Sequence, residues 1–255
     1  MGLFTKIQKV FNRDSAPGKA ASALEVDMHS HLLPAIDDGS KSLDDSLAMI
    51  ERMSSFGVRK IITTPHIMYE FYRNTPEIIH QKLDFVREAL KERGMNVALE
   101  AAAEYYMDDA FIDMVKNKEP LLTFGEKLIL IETNYIQSHP QLLQVFFDLK
   151  IQGFKPVFAH PERYAYLTKS RDKDTLAAYQ RIFDSGVLFQ LNLLSFTGYY
   201  GPQIKHTAEL LLKEGMIHLV GSDAHKMEHV RIVNAMKQTR MFERIMAADL
   251  MNNQL

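Results

Sequence analysis

Val26-Asp27-Met28-His29-Ser30-His31 sets a pattern that the rest of the sequence repeats. A short apolar run from Ala21 to Val26 leads into two histidines spaced two residues apart. Side chains at i and i+2 of a strand point to one face, so the stretch reads as a strand, residues 24–28, that ends by presenting two imidazoles to the same side. A lone His-x-His is commonly incidental. Here it gains weight because nearly every later apolar run also ends in His, Glu or Asp.

Outward from that stretch the rhythm is strand, loop, helix. Ser42 starts a helix with Asp44 and Asp45 in its first turn, where acidic groups suit the helix dipole, and Gly57 stops it. Residues 59–64 form a strand that runs into Pro65-His66. Thr75-Pro76-Glu77 opens a helix with proline in its first turn, closed by Gly94. Further strands are expected at 96–102 (ending near Glu104), 128–131 (Glu132), 155–159 (His160), 187–191 (Asn192) and 217–220, the last running into Gly221-Ser222-Asp223-Ala224-His225. Helices are expected at 107–116, 139–150, 172–183 and 204–213, with more at the C-terminus. Strands alternating with helices through short loops predict a parallel sheet. Closed on itself, this is an α/β fold of the distorted (β/α)7, TIM-like barrel type, in a single domain over 24–255.

Residues 1–23 stand apart. Leu3, Phe4, Ile7, Val10 and Phe11 fall at helical spacing with Lys6 and Lys9 opposite, and a polar stretch containing Pro17 and Gly18 reads as a linker. This segment is a tail, a helix packed on its own domain, or a short interfacial helix making weak contact with a membrane or a membrane-bound partner.

Composition limits the chemistry. A length of 255 residues suits one such barrel. Lys plus Arg number 30 against 32 for Asp plus Glu, which offers no electrostatic basis for nucleic acid as the main partner. The absence of cysteine excludes disulfides, thiolate ligands and a cysteine nucleophile. No apolar run approaches the roughly 20 residues of a membrane span, and no signal-peptide core is evident. A cytoplasmic protein, at most peripheral at the inner membrane, is expected.

In a parallel barrel the active site lies at the C-terminal ends of the strands. Those ends carry His29 and His31, then His66, Glu104, Glu132, His160, and Asp223 with His225. Carboxylates crowded together without countercharge repel one another, and cations resolve this. The donor set is imidazole and carboxylate, which suits Mn, Fe, Zn or Co better than Ca or Mg. So many donors predict two to three divalent ions rather than one. Clustered ions are the arrangement for phosphoester hydrolysis, in which metal-activated hydroxide attacks phosphorus in line.

His29-x-His31, Asp37-Asp38-Gly39, Thr64-Pro65-His66, His160-Pro161-Glu162-Arg163 and Ser222-Asp223-Ala224-His225 resemble the PHP (polymerase and histidinol phosphatase) superfamily. More narrowly, His31-Leu-Leu-Pro-Ala-Ile-Asp-Asp-Gly-Ser40 with Ala159-His-Pro-Glu-Arg163 resembles the bacterial metal-dependent protein-tyrosine phosphatases of capsule and exopolysaccharide loci, the CpsB/CapC/YwqE type. The resemblance covers about residues 24–240. It implies His29, His31, Glu104 and Asp223 around a first metal, Glu104 bridging to a second completed by Glu132 and His160, and a third held by His66, His225 and either Asp38 or Asp37, with Asp38 favoured. It implies manganese as the metal and Arg163 as the group that binds the substrate phosphate, acting with Asp223 and His225. A second arginine usually follows the Asp-Ala-His motif. Arg231 is the nearest here, one residue further than expected. The implied substrate is a phosphotyrosine protein, a tyrosine kinase controlling polysaccharide export. Alternatives are a small-molecule phosphatase, such as one for histidinol phosphate, and a catalytically silent binding module.

Other marks admit two readings. Tyr69, Phe71, Tyr72 and Arg73 form either an aromatic wall for a substrate ring or a loop packed on the rim. Asn192 and Ser195 line the mouth or make a turn. His80, His139, His206, His218 and His229 are expected to be structural or at the surface.

Overall fold

A computed structural model describes residues 24–255. The expected tail and linker, residues 1–23, lie outside the described residues.

The first strand, β1 (Val26–Asp27), is followed by α1 (Leu43–Ser55). Ser42 caps that helix by accepting from the Asp45 amide, and Leu47, Met49, Ile50 and Met53 form its buried face. The second expected strand is split into β2 (Lys60–Thr63) and β3 (His66–Ile67). Pro65 has no amide hydrogen for the ladder, so regular pairing is interrupted there. After α2 (Pro76–Glu92), the third strand is likewise split into β4 (Ala98–Ala101) and β5 (Glu104–Tyr106), where pairing passes from β2 to β3 and β6. Then come α3 (Asp109–Asn117), β6 (Leu128–Glu132), α4 (Leu142–Ile151) and β7 (Lys155–Ala159). A 3-10 turn (Pro161–Arg163), α5 (Asp172–Phe183) and β8 (Leu188–Asn192) come next. The chain ends with α6 (Leu193–Thr197), α7 (Pro202–Lys213), β9 (Leu219–Gly221), α8 (Met227–Met236), α9 (Arg240–Met246) and a last turn (Met251–Gln254). The short helix α6 is not expected from sequence. Helix α3 starts later than expected because Asp108 caps it, and α7 starts earlier, with Pro202 in its first turn.

Every pairing between named strands is parallel, in the orders β1-β2-β4 and β3-β5-β6-β7-β8-β9. With β2/β3 and β4/β5 each read as one interrupted strand, this is the seven-strand order of the chain. The ring closes through a parallel bridge between Ser30 and Ala224, beyond the ends of β1 and β9. The Asp223 amide donates to His29 O (2.7 Å) and the His31 amide to Ala224 O (3.0 Å). Below that rim, Asn252 fills the seam, its side chain bonding to Val26 O and to both Val220 backbone groups. Asp27 clasps the same seam by accepting from the Ser222 amide and hydroxyl at 2.7 and 2.8 Å.

Alternation along the strands separates two cores. Val26, Met28, Ile62, Ala102, Leu130, Val157, Ala159 and Leu219 fill the barrel interior, with Phe124, Leu128, Met251 and Leu255 at its base. Ile61, Leu99, Ile129, Ile131, Phe158, Phe189, Leu191 and Val220 point outward beneath the helices. Both faces of the sheet are covered, which is why β6 (Leu-Ile-Leu-Ile-Glu) is apolar throughout until its last residue.

Candidate metal centre

The interior turns polar only at the top. His29 Nε2 lies 3.2 Å from Glu104 Oε2 and 3.4 Å from Asp223 Oδ1, and His31 Nε2 lies 3.3 and 3.5 Å from the same two atoms. Each of the two imidazole nitrogens therefore stands at nearly the same distance from the same two carboxylate oxygens. A tetrahedral shell with metal–ligand bonds of ~2.1 Å places neighbouring ligand atoms about 3.4 Å apart. Beside this group, His160 Nε2 lies 3.0 Å from Glu104 Oε1 and 3.6 Å from Glu132 Oε1. His66 spans two groups, with Nδ1 at 3.3 Å from Glu104 Oε2 and Nε2 at 3.6 Å from Asp38 Oδ1. His225 Nε2 lies 3.4 Å from the same Asp38 oxygen. All the ligand candidates read from the sequence thus meet at one mouth, in overlapping groups linked by shared residues such as His29, His31, His66 and Glu104.

The residues fit metal ions on an independent observation. His29 Nε2, His31 Nε2, His66 Nδ1 and His160 Nδ1 are buried ring nitrogens without a hydrogen-bond partner. A buried polar atom left unpaired is costly. On His29, His31 and His66 the orphaned nitrogens face carboxylate oxygens just beyond hydrogen-bond geometry, an arrangement that a shared cation satisfies.

Electrostatics point the same way. Burial opposes a charge on His29, yet Glu104 and Asp223 outweigh it and push the imidazole up to about 9. Burial and the adjacent Glu104 charge push Glu132 up to about 8. Burial also raises Glu104 and Asp223, but the surrounding histidines outweigh it and hold both well below the usual carboxylate range. The carboxylates draw protons onto His29 and His31, and cations held there would answer the same negative charge.

Local backbone explains how the motifs deliver these side chains. A Cβ on Gly221 would stand 2.5 Å from His29 Cβ, and one on Gly39 would stand 2.4 Å from His31 Cβ. Only glycine lets β9 and the Asp37-Asp38-Gly39 turn approach the two histidines this closely. His160 (φ 31°) and Asp223 (φ 49°) sit in left-handed backbone that non-glycine residues seldom adopt, which turns both side chains into the mouth at the strand ends.

A layer of partners behind the ligands orients them. His31 Nδ1 bonds to Asp37 Oδ2 at 2.8 Å, and Asp37 also accepts from the amides of Gly39 and His66. Of the two aspartates, Asp38 faces His66 and His225, whereas Asp37 sits behind His31. Gln190 Oε1 accepts from His29 Nδ1 at 2.8 Å. Gln190 and Asn192 pass the network on to Asp223, with Asn192 Nδ2 donating to Asp223 Oδ2 at 2.6 Å. Asn192 is therefore beneath the ligands rather than in a turn. Ser195 instead holds the buried carboxylate of Glu162 at 2.6 Å.

Above the cluster a cavity of about 600 Å³ opens to solvent, lined by ligand candidates and by Phe71, Tyr72, Tyr135, Tyr199 and Tyr200. Arg163 reaches into it. Its Nη1 donates to Asp223 Oδ2 at 3.1 Å, and its guanidinium carbon lies 4.6 and 4.3 Å from the ring centres of Tyr135 and Tyr200. Tyr72 stacks on His66 and, with the exposed Phe71, forms one rim of the mouth. Tyr69 and Arg73 pair with each other and do not line it.

Two sequence expectations need correction. Arg231 is exposed on α8 and does not line the cavity, whereas Lys226, next to His225, does. His229 is part of the cavity wall rather than a structural or surface residue elsewhere. Its Nδ1 accepts from the His225 amide and its Nε2 meets the Tyr199 hydroxyl. It lies four residues after His225, and that helical spacing was the available signal. Burial lowers its pKa to about 4, so it is a neutral partner.

Residues 25–254 match the family model described as "Capsular polysaccharide synthesis, CpsB/CapC". The chain belongs to the CpsB/CapC family. Tyrosine-protein phosphatase YwqE of Bacillus subtilis (strain 168) is 30% identical over 203 residues, covering 80% of this chain and 78% of that protein. A chain solved in work on YwqE from Bacillus subtilis and CpsB from Streptococcus pneumoniae, described there as unique metal-dependent tyrosine phosphatases, superposes with a TM-score of 0.74 at 28% identity. It covers 84% of this chain and is itself 85% covered. Histidinol phosphate phosphatase from Lactococcus lactis, solved with zinc, L-histidinol and phosphate, shares the fold at 13% identity and a TM-score of 0.57, over 90% of this chain and 96% of that one. In this CpsB/CapC chain the described residues contain no helix long and apolar enough to cross a membrane.

Proposed function

We propose that this chain is a metal-dependent protein-tyrosine phosphatase, with residues 24–255 as the catalytic unit. The observation that carries this reading is the meeting of His29, His31, His66, His160, His225, Asp38, Glu104, Glu132 and Asp223 beneath a cavity that Arg163 enters between two tyrosines. The donor spacing supports His29, His31, Glu104 and Asp223 as holders of one ion, Glu104, Glu132 and His160 of a second, and His66, His225 and Asp38 of a third, with manganese the metal we favour. Bound there, the ions supply an activated water and neutralise phosphoryl oxygens.

The chain's own residues account for binding and orientation. Arg163 is fixed by Asp223 and flanked by rings, so its planar fork is set to take two phosphate oxygens. Gln190 and Asp37 fix the ring orientations of His29 and His31. Phe71, Tyr72, Tyr199 and Tyr200 offer apolar faces to an aryl group standing above the cluster. A phenolate leaves more readily than an alkoxide because the parent phenol has a pKa near ~10. With no cysteine in the chain, the thiolate route to phosphotyrosine hydrolysis is closed.

The rim favours a protein over a metabolite. Phe71 is 71% exposed and the Asp38 side chain 51% exposed, so the mouth is open at the level of its own ligand candidates. The family's description points to capsule synthesis, and we take the partner to be a bacterial tyrosine kinase of that system. Turnover of phosphotyrosyl peptides and of histidinol phosphate, each with added Mn(II) and with chelator, tests the proposal. Chelator-sensitive preference for the peptide is expected. A preference for histidinol phosphate would replace the substrate, and chelator-resistant turnover would overturn the mechanism.

A further inference from the structure

Tyr135 stands three residues past Glu132, in the loop after β6, and is neither a ligand candidate nor a phosphate-binding group. It makes three contacts that bear on both halves of the site. Its hydroxyl donates to Glu132 Oε1. Its ring lies against the Arg163 guanidinium, 4.6 Å from the guanidinium carbon to the ring centre, and Tyr200 flanks the same group at 4.3 Å. Its carbonyl accepts from the Ala165 amide at 2.8 Å, which ties its loop to the segment that carries Arg163.

We propose that Tyr135 is a positioning residue that couples the metal-facing carboxylate of Glu132 to the phosphate-facing guanidinium of Arg163. This rests on the reading of Glu132 as a ligand and Arg163 as the phosphate group. The chemistry calls for tyrosine. Glu132 is 5% exposed, so its Oε1 needs a donor from the protein. A lysine or protonated histidine would supply one but would add positive charge where cations are to bind. Phenylalanine would keep the ring and leave the oxygen unpaired. The same ring restricts the arginine before substrate arrives, which lowers the ordering cost of binding phosphate.

The two tasks separate by mutation. Tyr135→Phe removes the hydroxyl and keeps the ring, so Mn(II) affinity, read by competition with a chromogenic chelator, should fall roughly tenfold or more. Its KM for a phosphotyrosyl peptide at saturating Mn(II) should stay at the wild-type value. Tyr200→Leu should do the reverse, raising KM roughly three- to thirtyfold with Mn(II) affinity unchanged. Tyr135→Leu should show both defects. Inorganic phosphate binding, measured by calorimetry on the Mn(II)-loaded protein, reads the Arg163 arm without turnover. If the peptide is not a substrate, the functional reading fails while the Tyr135 assignment is still decided by these two binding measurements. Wild-type Mn(II) affinity in Tyr135→Phe would overturn the proposal. So would phosphate binding in Tyr135→Leu as tight as in Tyr135→Phe, because a residue that merely packs would lower thermal stability without this split.

Discussion

Gly221→Ala adds a single methyl group and should damage the metal centre more than its size suggests. The new Cβ would lie 2.5 Å from His29 Cβ and 3.3 Å from His29 Cα. Restoring 3.4 Å of ordinary contact requires about 0.9 Å of movement between β9 and the His29 backbone, which cannot swing aside as a side-chain tip would. Overpacking of this kind costs about 1–3 kcal/mol, or roughly 2–10 °C in melting temperature for a chain of this size. The larger effect falls on the ligands. A shift of about 0.9 Å exceeds the ~0.2 Å tolerance of metal–ligand distances several-fold, so Mn(II) affinity should drop about 10- to 100-fold. Chelator competition on the purified variant measures this directly. Gly94→Ala is the control, with left-handed backbone (φ +65°) and no atom within 4 Å of the added carbon. It should cost about 1 kcal/mol of stability and leave Mn(II) affinity unchanged. If Gly221→Ala binds Mn(II) like the wild type, the claim that this glycine makes room for His29 as a ligand is wrong.

His31→Ala and Asp223→Ala should each lose bound metal, measured by elemental analysis, and lose phosphatase activity with it. Arg163→Ala should keep its metal while KM rises, kcat falls, or both, and wild-type kinetics would remove Arg163 from the phosphate site. In metal-free protein, His29 is raised to about 9 from the 6.5 of an unperturbed imidazole, because Glu104 and Asp223 outweigh its burial. Its contribution to stability is complete below 6.5 and is lost as pH rises through 9. Glu132, raised to about 8 from 4.5 by burial and by Glu104, acts in the same direction. The melting temperature of chelated protein should therefore fall between pH 6.5 and 9, and a rise over that window would contradict the charge assignment. Mn(II) affinity should climb over the same window as protons are displaced, by up to about tenfold per unit for each proton.

The strand ends explain why so much of the centre was readable from sequence. Every ligand candidate except Asp38, which lies in a turn, stands at or just past the end of an apolar run, and a closed parallel barrel has only one place to bring such ends together. The order of strands followed from the alternation with helices, and Asp38 could be favoured over Asp37 though not separated from it. That separation depends on which carboxylate meets His31 Nδ1 from behind, a contact set by the shape of the turn. Gln190 carried a usable signal, since a glutamine two residues before the end of an apolar strand has its side chain on the inward face and must find partners there. Tyr135 carried only its place just past a strand end, and Tyr200 carried none. They flank one guanidinium from loops more than sixty residues apart, and only the closed barrel makes them neighbours. Arg231 misled for a related reason: its spacing along the sequence is close to that expected, but α8 turns it to solvent and leaves Lys226 and His229 at the mouth.

Anomalous scattering at the manganese edge, from crystals of protein reconstituted with Mn(II), tests the central claim most directly. The account predicts peaks among His29, His31, Glu104 and Asp223, among Glu104, Glu132 and His160, and among His66, His225 and Asp38. A crystal with no manganese peak within this cluster, from protein that hydrolyses phosphotyrosine, would contradict it.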